Sequence, residues 1–156
     1  MTTMTTIEYA YRRFSKARFP LPSDASVAEL EQRIGVTFPD DYRQFLLEFN
    51  GGFFTEPVIV PSTPDCPEDA LTSMFGLGAS HPSSELARER DLALFTENDP
   101  PQIIPIGSTI MGGLIILIVR PDGRGQIFLK KAFGDFYLLA HGIEEFFELL
   151  HEPPDE

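Results

Sequence analysis

The sequence has one cysteine, no tryptophan and half as many basic as acidic residues. A lone Cys66 excludes a disulfide framework and a cysteine-built zinc site. It also fits a reducing compartment. Twelve Lys and Arg against 24 Asp and Glu leave a net charge of −12. A field of that sign repels nucleic acid and anionic bilayers and attracts basic proteins. Long apolar runs are missing too. The longest, from Met111 to Val119, falls far short of the roughly 20 residues a bilayer span needs. The opening residues lack a basic segment followed by an apolar core, which predicts a soluble, unexported, cytoplasmic protein.

Catalytic patterns are equally scarce. There is no Gly-x-Ser-x-Gly elbow and no Gly-x4-Gly-Lys phosphate loop. His81, His141 and His151 have no second ligand at metal spacing. Glu148 and His151 form one (i, i+3) pair, where carboxylate metal sites in bundles need two. Cys66 sits between Asp65 and Pro67, and a nucleophilic cysteine needs a base whose approach no local spacing reveals. The expectation is therefore a protein without catalytic residues, metal or cofactor, acting by binding another protein rather than nucleic acid or membrane.

What is present is a core-forming chain. Its 156 residues suit one domain, and 42% apolar content argues against disorder throughout. The charge is uneven. Residues 1–39 carry Arg12, Arg13, Lys16, Arg18 and Arg33 against Glu8, Asp24, Glu29 and Glu31, a net +1, so the remainder carries −13.

The stretch Ile34 to Gly52 reads as one helix with its entry and exit written in. Pro39 suits the first helical turn, and Asp40 and Asp41 complement the positive end of the dipole. Tyr42, Phe45, Leu46 and Phe49 fall at i, i+3, i+4 and i+7, one face of a 3.6-residue helix. Asn50-Gly51-Gly52 closes it, since Asn and Gly accept the left-handed conformation. Before it, Ser26-x-x-Glu29 reads as a capping box opening a helix that ends at Gly35. Ile7 to Phe19 reads as a short helix stopped by Pro20 and Pro22.

Residues 53–83 form a proline-studded loop, with Val58–Val60 and Met74–Leu77 as short strands. Ser84 to Phe95 reads as a helix. Gln102 to Ile106 contains Pro105, which predicts an edge or interrupted strand. Leu114 to Val119, apolar and branched throughout, predicts a central strand covered on both faces. A Pro121-Asp122-Gly123 turn, a return strand over Gln126–Lys130 and a third strand over Phe136–Leu139 follow. Ile143, Phe146, Phe147 and Leu150 mark a last amphipathic helix, and residues 152–156 are a loose acidic tail. The fold expected is α+β: N-terminal helices and a C-terminal helix on a mainly antiparallel curled sheet, in one domain spanning residues 1–156, with residues 1–25 as a lead-in.

Five stretches also resemble the SUKH superfamily in its Smi/Knr branch. Gly35-Val36-Thr37-Phe38-Pro39-Asp40-Asp41-Tyr42-Arg43-Gln44-Phe45-Leu46 is similar to Gly-x-x-Leu-Pro-x-x-Tyr-x-x-Phe-Leu, and Asn50-Gly51-Gly52 to that helix's exit. Ile104-Pro105-Ile106-Gly107 resembles an Ile-Pro-Ile-Gly strand, and Gly125-Gln126-Ile127-Phe128 a hairpin strand. Leu139 to Phe147 resembles Ala-x-Ser-Phe-x-Glu-Phe-Leu, with Gly142 where a capping Ser is usual. Ser108-Thr109-Ile110-Met111 and Lys130-Lys131 depart from the pattern on loops where partners could be read. The resemblance implies a non-enzymatic binding module, most often an immunity protein that blocks a nuclease or deaminase toxin. The alternatives are a regulatory scaffold of the same fold, or a ligand binder or enzyme using the loop from Gly52 to His81. The acidic residues that a basic toxin domain would meet are Glu144, Glu145 and Glu148 on the last helix and Asp65, Glu68 and Asp69 in the loop. Each set reads equally as solvated surface.

Overall fold

Two serines three residues apart start the first long helix. A computed structural model describes residues 7–8, 11, 15–54, 58–60, 69–78, 85–86, 102–131 and 136–150. In it Ser23 is the N-cap: Ser26 N donates to Ser23 Oγ at 3.1 Å, and Ser23 N donates to Ser26 Oγ at 3.0 Å. Helix α1 therefore runs Asp24–Ile34, one turn earlier than the Ser26-x-x-Glu29 reading. Gly35 closes it with φ 78. Helix α2 is Asp40–Glu48, with Pro39 just outside as its N-cap rather than in its first turn. Its exit runs through three consecutive positive φ angles: Asn50 55, Gly51 84 and Gly52 143.

The strands follow as β1 Ser15–Arg18, β2 Gly52–Phe54, β3 Leu71–Met74, β4 Ile103–Thr109, β5 Leu114–Ile118, β6 Ile127–Lys130 and β7 Phe136–Ala140. Helix α3, Ile143–Leu149, comes last. The strands form one sheet in the order β1 to β7, every neighbouring pair antiparallel. This is the α+β architecture the residues imply.

Several expectations give way. Residues 7, 8 and 11 are helical, but Ser15–Arg18 is a strand on β2, so the expected helix to Phe19 ends early. The 53–83 loop contains most of β2 and all of β3, and β3 begins at Leu71 rather than Met74. Val58–Val60 contributes one bridge, Ile59 to Ala70, instead of a strand. The expected helix from Ser84 to Phe95 is described only at Glu85, which bridges Gly76, and Leu86, in a turn; the rest lies outside the described residues. β4 is not an edge. It pairs with β3 and β5, and Pro105 is accommodated by a register shift between Pro105 and Gly107. A bulge is where an interior strand tolerates a proline. At Gly107 a Cβ would stand 2.8 Å from Ser73 O, so only glycine lets β3 approach.

The core lies between the helices and one face of the sheet. Tyr42, Phe45, Leu46 and Phe49 are all buried, as the helical spacing requires. Phe45 stacks on Tyr42 at 5.7 Å and on Phe49 at 5.9 Å, and meets Phe147 of α3 at 5.7 Å. Ile104, Ile106, Ile115, Leu117, Ile127 and Leu129 supply the sheet side. Ile116 and Ile118 alternate to the opposite face and are also buried, so β5 is covered on both sides. Burying each such side chain contributes roughly 1.5–3 kcal/mol.

Candidate protein-binding surface

The acidic face of α3 is held in place by the helix that carries the signature. Phe146 and Phe147 turn inward, leaving Glu145 and Glu148 exposed and Glu144 half-buried. The helix starts at Gly142 without a side-chain cap of its own. Asp41 of α2 replaces it: Ile143 N donates to Asp41 Oδ2 at 3.3 Å, and Tyr42 N donates to Asp41 Oδ1 at 2.7 Å. A Cβ at residue 142 would lie 2.9 Å from that Oδ2. Glycine at this position thus makes room for a carboxylate reaching in from another helix. Glu145 turns back on the same end. Its Oε1 accepts from His141 N at 2.6 Å and lies 3.2 Å from His141 Nδ1. The backbone hydrogen bond, then the ring, hold its carboxyl below the usual glutamate range.

The loop acids divide. Asp69 is only 5% exposed, and its Oδ1 accepts from Ala70 N at 2.8 Å and Met111 N at 3.1 Å. Its carboxylate ties β3 to the β4–β5 turn and faces no partner. Asp65 and Glu68 lie outside the described residues, as do Cys66, His81 and His151. Among the described residues no group of three or more His, Cys, Asp or Glu side chains could hold a metal ion. Among them, too, no helix is long and apolar enough to cross a membrane.

The tertiary roles of two residues escaped the sequence reading. Asn50, wholly buried, donates from Nδ2 to Pro20 O and Leu77 O, both at 2.7 Å, and accepts from Leu77 N at 2.9 Å. A Cβ at Gly76 would fall 1.9 Å from Asn50 O. The helix exit is thus also a clamp joining three segments. Arg43 pairs with Asp24 at 3.0 Å and Glu31 at 3.2 Å, and Glu31 Oε2 accepts from Phe38 N at 2.7 Å, locking α1 to the start of α2. Local spacing carries no sign of Asn50's reach; the opposite charges of Glu31 and Arg43 on adjoining helices were the one available hint.

The SMI1 / KNR4 family (SUKH-1) matches residues 21–149. The chain belongs to this family. The match covers everything from the approach to α1 through the end of α3. One relative is the SPbeta prophage-derived uncharacterized protein YokK of Bacillus subtilis (strain 168), 26% identical over 178 residues, covering 97% of this chain and 88% of that protein. Another is the uncharacterized protein YnaB of the same strain, 52% identical over 29 residues, or 19% of this chain and 20% of that protein. In this SMI1/KNR4 chain the signature residues build the body. Gly35 caps, Pro39 precedes the helix, and Tyr42, Phe45, Leu46 and Phe49 fill the core. Asn50, Gly51 and Gly52 turn the chain, and Ile104, Pro105 and Gly107 shape β4.

Proposed function

We propose that this SMI1/KNR4 chain is an immunity protein that binds a cognate toxin domain, of nuclease or deaminase type, and neutralises it by contact in the cytoplasm. The family match over residues 21–149 carries the reading. The net charge of −12 supports it, because an acidic inhibitor is steered to a basic enzyme before contact. The face offered is that of α3, where Glu144, Glu145 and Glu148 stand on a helix fixed from beneath by Asp41 and the phenylalanines. No catalytic step is assigned to the chain; occlusion suffices.

The test is co-expression with the product of the neighbouring gene, which this reading requires to be a toxin domain. The chain restores growth and co-purifies with that domain. No complex with the adjacent toxin, or a stable complex with a non-toxin protein instead, overturns the immunity reading, the second in favour of a regulatory module. Reversing Glu144, Glu145 and Glu148 to Lys slows association, most visibly at low salt, where screening is weakest. On-rates that do not change with ionic strength would remove the α3 face from the interface.

A further inference from the structure

The far end of the sheet carries the opposite chemistry. Leu114 lies opposite Lys130, and Lys130 opposite Phe136, so one row crosses β5, β6 and β7. The β4–β5 turn abuts that row: a Cβ at Gly113 would stand 3.0 Å from Leu129 Cδ1 and 3.1 Å from Lys130 O.

Every backbone N–H of this turn has an acceptor. Thr109 N bonds Gly113 O, Ile110 N bonds Ala70 O, and Gly112 N bonds Thr109 O. Met111 N bonds the buried Asp69 carboxylate and Gly113 N bonds Thr109 Oγ1. The frame is fixed, yet the side chains it carries are not put to use inside. Ile110 is 69% exposed and Met111 65%, while Phe136, opposite Lys130 on β7, is 43% exposed. Scattered exposed apolar residues need no explanation, but an adjacent exposed pair on a fixed turn bordering the Lys130 row is a patch.

The patch is also basic. Lys130 Nζ lies 5.8 Å from the Phe136 ring and donates to Lys131 O, and Lys131 Nζ lies 5.0 Å from the Tyr137 ring. A chain of charge −12 gathers two ammonium groups here. Among the described residues the carboxylate beside the turn is Asp69, which is buried and accepts from two amides.

We propose that this end of the sheet docks an acidic segment of a partner protein, its carboxylates on Lys130 and Lys131 and its apolar side chains on Ile110, Met111 and Phe136. The proposal rests on the reading of the chain as a protein-binding module and adds a second face of opposite sign to α3. A second copy docked face to face through this patch is a poor occupant, because it would set lysine on lysine. A turn already fixed by five amide bonds loses little freedom on binding, which favours its use as an anchor.

The test pans a random-peptide display library against the full chain. Acid-rich peptides with apolar side chains are enriched. A synthetic copy of one loses affinity at least about tenfold against Ile110→Ser/Met111→Ser and against Lys130→Glu/Lys131→Glu, and the second loss shrinks in high salt. Lys130→Gln/Lys131→Gln gives a smaller loss of the same sign, and thermal melts confirm that each variant folds. Enrichment of basic peptides, no enrichment, or peptides indifferent to the Ile110, Met111 and lysine variants overturns the proposal. So does binding of the chain to phosphatidylserine vesicles through these residues, or a dimer that Ile110→Ser dissolves. The growth-rescue experiment with the neighbouring toxin is separate, so either reading can fail alone.

Discussion

If Asp41 caps α3 across the helix boundary, residues 41 and 142 must be energetically coupled, and the sign of a change at 142 must depend on 41. Asp41→Ala removes the acceptor of Ile143 N, which typically costs about 1 kcal/mol for a helix N-cap. It also withdraws a negative charge from the first turn of α2, worth roughly 0.3–1 kcal/mol. In the parent protein, Gly142→Ser places a Cβ 2.9 Å from Asp41 Oδ2. The carboxylate cannot easily swing aside, because its other oxygen accepts from Tyr42 N at 2.7 Å. Gly142 has φ −174, an extended conformation open to serine, so any cost comes from the contact and not from the backbone.

Gly142→Ser should therefore destabilise the parent by about 1 kcal/mol, as the displaced carboxylate gives up its bond. In the Asp41→Ala background the space is open and a serine hydroxyl can cap locally, so the same substitution should stabilise by a few tenths to about 1 kcal/mol. The resulting coupling of roughly 1–2 kcal/mol lies within reach of a double-mutant cycle. The measurement is urea unfolding of the four proteins, read from midpoints at constant m. Equal effects of Gly142→Ser in both backgrounds would refute the cross-helix cap.

Phe45→Ala should cost about 3–5 kcal/mol, because the ring is fully buried among four others; a loss under about 1 kcal/mol in urea unfolding would contradict its place in the core. Tyr42→Phe should leave stability unchanged or raise it by up to about 1 kcal/mol, since the buried hydroxyl has no hydrogen-bond partner among the described residues. Burial also drives that phenol's ionisation far above the usual tyrosine value, so a spectroscopic titration should leave Tyr42 silent until the protein unfolds in alkali. Glu145 has its pKa lowered by folding, chiefly by the His141 N–H, so its contribution is present above the ordinary carboxylate range and fades as pH falls toward the depressed value. Glu145→Gln should flatten that part of the acid stability profile, and an unaltered profile would count against the interaction.

The parts of the fold legible from residues were those whose causes are local. The α2 stripe is a matter of period, and Asn50-Gly51-Gly52 a matter of backbone sterics, so both were readable and both hold. Element boundaries moved wherever two local signals competed. Ser23 and Ser26 each resemble an N-cap, and the reciprocal bonds of the earlier pair won. β1 was read as helix because Ile7, Tyr11 and Phe14 sit at helical spacing, while its strand state depends on pairing with β2, more than thirty residues on. Pro105 argued for an edge, and a bulge let it sit inside the sheet. Asp69 looked like surface charge in a polar loop; its burial depends on amides of the β4–β5 turn, invisible at that distance in sequence.

That division bears on where a partner is recognised. The signature residues are consumed by construction: Asn50 joins three segments with both ends of its amide, Gly107 admits β3, and Asp41 starts the last helix. A residue already committed to caps, turns and core cannot vary from one partner to the next without a cost in stability of a kcal/mol or more. Specificity must then come from positions the body leaves unconstrained. The described surface presents two such groups of opposite character: Glu144, Glu145 and Glu148 on α3, and Ile110, Met111, Lys130 and Lys131 at the far end of the sheet. A partner that needs both faces must present basic and acidic regions at matching separation, so reversing the charge of one face should weaken binding without abolishing it, whereas reversing both should not simply restore it.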